Sequence, residues 1–455
     1  MKNTITLLIL FTTMQFQAQC WDIIAPGNIH SFGIKSDGTL WGWGRNESGL
    51  LGSGPIAALD VPTQIGTDQW LAISSGSSFH NAGIKKNGTL WVWGNNANGQ
   101  LGIGSTSAAW NPVQIGSDTN WIAVDVSFNY TVALKNDGTL WSWGKNHEGQ
   151  LGNGTLDNNV FPTQIGTDND WKSVEAGQNN ISAIKTNGTL WIWGNNALGE
   201  IGNGSGEDSL APTMVNNDTN WKSISLDATF AIALKIDGTL WSWGNNNYGQ
   251  LGNGTFFTNS YVPIQIGFDT DWEIAGATSA TSFAIKTDGT LWTWGDNSMG
   301  TLGNGNFTNN ALPTQVGTDA NWQSAYPGNG HILALKTDGS LYGWGWNVYR
   351  QVGNNTTTNI NVPTLVTAPC MLSTRDFGAS KMFVVYPNPA TDVIRIHNQN
   401  SKVLDKIVVS DLSGKKIISS SGNNTEINTS ALQKGIYMLQ IFSEGKIFTE
   451  KIIKQ

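Results

Sequence analysis

The chain has 455 residues, of which 54 are glycine and 22 tryptophan, and only 13% are Lys, Arg, Asp or Glu. So much glycine and so little charge suit short strands joined by tight turns and argue against a helical protein. The net charge of −8 is unevenly spread, because residues 20–370 hold 13 Lys and Arg against 26 Asp and Glu, a field that repels nucleic acid and anionic lipid and sets both aside as partners.

The first residues carry an export signal. Lys2 is followed by the apolar run Ile5-Thr6-Leu7-Leu8-Ile9-Leu10-Phe11 and then by Ala18, so residues 1–18 read as a secretory signal peptide cleaved after Ala18. A membrane span needs about twenty apolar residues, and this run is far shorter, so no transmembrane segment is expected. Gln19, in place of a small residue before Cys20, weighs against lipidation of that cysteine.

From Trp21 onward one unit repeats seven times. Gly-Thr-Leu-Trp-x-Trp-Gly-x-Asn opens at Gly38, Gly88, Gly138, Gly188, Gly238, Gly289 and Gly339, and a fixed period of this length marks a repeat architecture. An Asp or Asn precedes each of these glycines, from Asp37 to Asp338, between apolar runs. That pattern predicts a β-hairpin with a two-residue turn, both of whose residues tolerate positive φ.

The tryptophans fall in three columns of this register. One runs from Trp21 and Trp70 to Trp322, a second from Trp41 to Trp292 with Tyr342 in the seventh unit, and a third from Trp43 to Trp344. Large rings at three places per unit give each sheet two faces to cover, which one unit cannot do alone. Neighbouring units stacked in a closed ring would cover both and leave no exposed end, as in a β-propeller.

Each unit reads as four short strands: Trp-x-x-Ile/Val, an apolar strand ending in Lys, Leu-Trp-x-Trp-Gly and, after a Gly-rich corner and a variable loop, a Pro-led strand such as Pro162-Thr163-Gln164-Ile165. The motif Ala-Leu-Lys-x-Asp-Gly-Thr-Leu-Trp-x-Trp-Gly-x-Asn-x-x-Gly-Gln-Leu-Gly, nearly intact at residues 133–152, resembles the regulator of chromosome condensation repeat. That resemblance covers residues 21–369 and implies a seven-bladed β-propeller. The seventh unit departs from it at Tyr342, Arg350 and Asn355, which puts its corner geometry in question. Whether the Trp21 strand completes the last blade or begins its own stays open.

Cys20 and Cys370 occupy the same column one lap apart, each just before the position of a strand-opening Trp. An exported ring that ends where it began brings the two together in an oxidising compartment, so a Cys20–Cys370 disulfide is expected to close the propeller, residues 20–370.

Most recurring polar columns read as scaffold. The Asn column from Asn46 to Asn347 suits a turn role. The Lys column from Lys35 to Lys336 is expected to lay its stems along the strands, with the heads in solvent or over Trp rings. His30, His80 and His331 share a column with Tyr130, Asn180, Phe230 and Thr281, a substitution pattern that does not suit metal ligation. No metal site, cofactor or nucleophile with a recognisable base is expected.

What varies between units is the loop after each corner, at 55–61, 105–111, 155–161, 205–211, 255–262, 306–312 and 356–362. These loops share one face of the ring, and variable loops on a rigid frame suit recognition. Trp110, Phe256, Phe257, Trp346 and Tyr349 stand outside the Trp columns and are the candidate binding residues, directed at an extracellular protein or glycan.

After Cys370 tryptophan stops. Residues 371–382 read as a linker, and strands at 393–396, 406–410, 415–419, 435–442 and 446–453 read as a small β-sandwich. Tyr386-Pro387-Asn388-Pro389, Asp411-Leu412-Ser413-Gly414-Lys415 and Lys434-Gly435-Ile436-Tyr437 resemble the C-terminal sorting domain of type IX secretion over residues 383–455. That resemblance implies the type IX machinery as a partner and release from, or display on, the surface of a Gram-negative bacterium. The expectation is therefore a monomeric, non-enzymatic, secreted binding propeller. An extracellular hydrolase with a glycosidase-like carboxylate pair is the alternative.

Overall fold

The computed structural model describes residues 21–367, apart from 57, 77 and 78, and residues 383–454, apart from 387–389, 391, 399–403, 412–414, 423–424 and 444–445. The expected signal peptide (1–18), both cysteines of the expected disulfide, Cys20 and Cys370, and the linker (371–382) lie outside the described residues. One compact unit holds the repeats and another the C-terminal residues.

The repeat unit is built from seven four-stranded antiparallel sheets. The first takes Trp21–Pro26, His30–Lys35, Thr39–Gly44 and the beginning of Leu59–Ser74; the end of that long strand opens the second sheet. The seventh takes Trp322–Pro327, His331–Lys336, Leu341–Gly345 and Ile360–Thr367. Trp21–Pro26 thus begins its own blade, and the seventh blade draws all four strands from its own repeat.

The turn between the second and third strands differs from the two-residue form. Gly88 N donates to Lys85 O (2.8 Å) and Lys85 N donates to Thr89 O (3.0 Å), which leaves Lys86, Asn87 and Gly88 in a three-residue loop. Among these, Gly88 has positive φ, +80°, and Asn87 does not. This is a type I turn followed by a left-handed glycine. The residue before the glycine serves by its side chain instead: Asn87 Oδ1 accepts from Thr89 N and Oγ1, and Thr89 Oγ1 accepts from Trp91 Nε1. The short Asx side chain fixes the turn, and the turn orients the indole.

Packing between blades follows the tryptophans. Each hydrophobic cluster of this unit draws on two neighbouring sheets; Leu134, Leu140 and Val132 of the third blade pack with Trp171 and Trp193 of the fourth. Trp21, Ile24 and Trp43 of the first blade pack with Leu333, Leu335 and Leu341 of the seventh, so the ring closes. Burying about 200 Å² of indole at about 25 cal/mol per Å² gives on the order of 5 kcal/mol per tryptophan before entropy is counted, more than an isolated four-stranded sheet could realise.

The first strands of all seven blades line one axial cavity of about 360 Å³.

In the C-terminal unit Phe383–Tyr386, Val393–Asn398 and Glu426–Asn428 form one sheet, and Lys406–Ser410, Lys416–Ser421, Gly435–Ser443 and Lys446–Lys454 form another. Phe383, Ile394, Ile396, Ile427, Val409, Leu439 and Ile441 are buried in one core with members from both sheets, as a sandwich requires. Glu426–Asn428 is a strand that the alternation did not mark, because three residues are too few to show a period.

Candidate binding surfaces

The variable-loop face is built on a corner that each blade repeats. Asn146 Oδ1 accepts from Leu151 N (2.9 Å), and its Nδ2 donates to Thr155 O (2.9 Å). One buried amide thereby pins both ends of the corner. The remaining six members of the column, from Asn46 to Asn347, accept in the same way; five donate to the equivalent carbonyl and Asn46 to Gly54 O and Ile56 O. Gly152 then sits flat beneath an indole of the next blade, since a Cβ there would lie 2.4 Å from Trp193 Nε1. Trp193 Nε1 donates to Gln150 O (3.1 Å), and Gly154 N donates to Leu210 O (2.9 Å) on the next blade's fourth strand. The corner is both the frame of the loop face and the lock between blades.

On this frame the candidate residues fall in three groups. Trp110 lies on the strand Ala109–Gln114 and not in a loop, because the residue before a proline favours extended backbone and draws the strand N-terminal of Pro112. Its ring is 44% exposed, and its carbonyl accepts from Gly54 N (3.2 Å). Phe256 and Phe257 adjoin at 6.4 Å; Phe257 has φ +60° and is 80% exposed. Trp346 and Tyr349, both half-buried, meet edge-to-face at 5.3 Å, and the Arg45 guanidinium of the first blade stacks 4.7 Å from the Tyr349 ring. The structure therefore joins Trp346 to Tyr349 and Phe256 to Phe257, and leaves Trp110 apart from both pairs.

Sequence reasoning missed further exposed aromatics at this end of the blades: Phe79, Phe128, Phe161, Tyr248, Tyr261 and Phe307. Phe161 and Tyr261 lie in fourth strands, and the departure of those positions from a common residue type was the available signal. On the opposite face one aromatic among the described residues, Phe268, is exposed, at 96%.

That opposite face carries the lysine column. Lys135 Nζ lies 4.0 Å from the Trp141 ring and 2.7 Å from Asp118 Oδ2. Lys85, Lys185, Lys235, Lys286 and Lys336 make the same pair of contacts. The expectation of heads over rings holds, with a carboxylate seventeen residues upstream completing each site. Lys35 also lies over Trp21 and Trp41, and burial holds its ammonium below the usual range.

His30, His80 and His331 are buried strand residues. His30 Nε2 bonds Asn81 Oδ1 (2.7 Å), His80 Nε2 bonds Thr131 Oγ1 (2.9 Å), and His331 Nε2 lies 3.4 Å from Ser31 Oγ. Each links its blade to the next, and burial lowers their pKa values to about 4, about 3 and about 3. Among the described residues no group of three or more His, Cys, Asp or Glu is placed to hold a metal ion.

The axial cavity is acidic. Asp125, Glu175 and Asp227 line it, and burial raises the pKa of all three, Glu175 well above the usual carboxylate range with the Asp125 charge adding to the effect.

The family described as RCC1-like domain matches residues 10–275, more than half of the chain, and the Regulator of chromosome condensation (RCC1) repeat matches residues 288–335 and 338–377. The chain belongs to the RCC1-like domain family. The Secretion system C-terminal sorting domain matches residues 384–455, which points to export to the medium or the cell surface. No curated protein matches. Among solved structures, human WBSCR16 is 22% identical with a TM-score of 0.66, over 73% of this chain and 94% of that one. Prp20p from Saccharomyces cerevisiae is 20% identical with a TM-score of 0.66, over 81% and 90%. At these identities the likeness is one of fold. No described helix is long and apolar enough to cross a membrane.

Proposed function

We propose that the protein is a non-enzymatic binding propeller, displayed on or released from the surface of a Gram-negative bacterium through its sorting domain, that recognises an extracellular protein with its variable-loop face. The observation that carries this reading is the one-sided distribution of exposed rings: Trp110, Phe161, Phe256, Phe257 and Phe307 among those at the corner end of the blades, against Phe268 alone on the other face among the described residues. Desolvating large rings is the main source of contact energy at protein interfaces. The predominance of Phe, which lacks a polar handle, and the spread of the groups over several blades suit an extended protein surface better than one sugar. Prp20p, whose binding to Gsp1p and histones has been described, shows the same fold serving protein recognition.

The test is capture from culture medium and cell envelope, followed by titration of the purified ligand against the protein, a Trp110→Ala/Phe257→Ser variant and a Phe268→Ala control. We expect the double variant to lose at least tenfold in affinity while the control keeps it. Equal binding by all three would remove the loop-face assignment. Binding that survives deproteination of the ligand would assign a glycan instead.

A further inference from the structure

We propose that the axial cavity of the propeller is a binding site for a primary alkylammonium group, with Glu175 as its ion-pairing carboxylate. This site is independent of the loop-face reading, because its residues come from the first strands around the axis.

The three cavity carboxylates are not alike. Asp125 is satisfied by protein donors: Ser74 Oγ at 2.6 Å, Val126 N at 3.0 Å and Ala176 N at 2.8 Å. Asp227 accepts from Ser279 N and Ala280 N, both at 3.0 Å. Glu175 differs from both: the residue lines the cavity, and its Oε2 is buried with no hydrogen-bond partner. A carboxylate oxygen shielded from water without a donor costs free energy, and the residues lining the cavity include no Lys, Arg or His to offset it. The charge is neutralised by a proton or by a cation that arrives from outside.

The walls select the kind of cation. Ile73, Val124, Val174 and Leu226 line the same space among the carboxylates and hydroxyls, so the wall offers apolar as well as acidic contacts, which an alkyl chain ending in a charged head can use together. A divalent metal fits poorly, since no three ligating side chains converge among the described residues, whereas an ammonium needs one carboxylate and a few acceptors. A volume of about 360 Å³ admits a four-carbon chain. Burial and the Asp125 charge raise the Glu175 pKa and so favour its protonated form in the empty cavity. Binding is therefore an exchange in which the ammonium enters, the Glu175 proton leaves to solvent and a carboxylate–ammonium pair remains.

The same chemistry is presented by a small free amine and by a lysine side chain of a partner. Calorimetry of the full chain at pH 7.5 with n-butylammonium, with N-acetyl-lysine methylamide and with neutral 1-pentanol separates the cases. We expect one saturable site for an ammonium compound, and none for 1-pentanol. Heats measured in two buffers of different ionisation enthalpy should show release of about one proton per site. Glu175→Gln should weaken binding at least tenfold without lowering the melting temperature. Tighter binding of the blocked lysine assigns the site to a partner's lysine, and tighter n-butylammonium to a small amine. Absence of saturable binding, equal affinity in Glu175→Gln, or binding of 1-pentanol would overturn the proposal. Should the variant fail to fold, proton release by the unmodified protein decides.

Discussion

Six of the blade interfaces join sheets that follow one another in sequence, and the seventh joins the last sheet to the first. The interface between the third and fourth blades uses Trp193 Nε1 on Gln150 O, Gly152 beneath the indole, and Gly154 N on Leu210 O. The closure repeats the scheme across 308 positions, with Trp43 Nε1 on Gln351 O (3.0 Å), Gly353 beneath Trp43, and Asn355 N on Asp60 O (3.3 Å). It adds Trp21 Nε1 on Thr367 Oγ1 (3.1 Å), Asn329 Nδ2 on Asn28 Oδ1 (2.8 Å) and an Arg350–Asp60 ion pair (2.9 Å). The internal interfaces form between sheets already tethered by a short connection, whereas the closure must bring together ends some 350 residues apart, at an entropic cost on the order of 5 kcal/mol. Three added polar contacts, each worth about 1 kcal/mol or less, do not offset that cost, so the closure is the interface expected to open first.

The largest expected effect follows from removing that inequality. The bond between Trp21 and Thr367 places the two described ends of the ring side by side, which supports the proposed Cys20–Cys370 disulfide. Such a link would contribute about 5 kcal/mol on the loop-entropy estimate. Mass spectrometry of the unreduced mature protein should find the joined peptides, and Cys370→Ser should lower the denaturant midpoint by a corresponding amount. Two free thiols in the secreted protein would remove both the link and its effect.

Acid should next strain three interfaces, the closure and the two that follow it. His331, His30 and His80 belong to the seventh, first and second blades, and each bonds the blade that follows it. Their folded pKa values, about 3 to about 4, lie below the unfolded value of 6.5, so between these limits the unfolded chain binds protons that the native ring does not. Stability is lost as pH falls through that window. At pH 4.5 the loss is about 3 kcal/mol for each histidine, taking two pH units at about 1.4 kcal/mol. The cavity carboxylates act in the opposite direction. Their raised values mean that the native state holds protons the unfolded chain would release, a contribution present at low pH and lost as pH rises. Comparing the protein with His80→Asn, the residue type found in this column at Asn180, isolates the histidine part. Melts from pH 7 to 4.5 should show a shallower fall in the variant, and parallel curves would count against the assignment.

The repeat and the closed ring were legible because the tryptophan columns, the turn glycines and the corner asparagines recur at one period and each has a physical cause. The turn was misread by one residue, since Asp-Gly fits two turn types and the hydrogen bonds that separate them are not written in residue identity. The Lys–Asp pairs were legible and were overlooked: a carboxylate stands seventeen residues before the lysine in six units, as at Asp118 and Lys135. The cavity could not have been read. Asp125 and Glu175 share a column with Ala25, Ser74, Ser225, Gly276 and Tyr326, and only the curvature of the ring turns that mixed column toward an axis.

The smallest expected effect tests whether the departures of the seventh blade weaken its corner. Arg350 stands where other corners place a glycine and adopts φ +66°, a region that costs an ordinary L-residue on the order of 1 kcal/mol. At the internal corners a Cβ in this place would press on the next blade's fourth strand, 2.7 Å from Ala311 Cα at Gly249 and 3.0 Å from Val160 Cα at Gly99. The closure accepts one and sets the guanidinium on Asp60. An exposed pair of this kind is worth about 0–1 kcal/mol, so the tie and the strain nearly cancel. Arg350→Gly should therefore move the denaturant midpoint by the equivalent of no more than about 1 kcal/mol, in either direction. A loss above about 2 kcal/mol would mean that the Arg350–Asp60 pair is a principal tie of the ring, added at the seventh corner to the backbone bond from Asn355 N to Asp60 O.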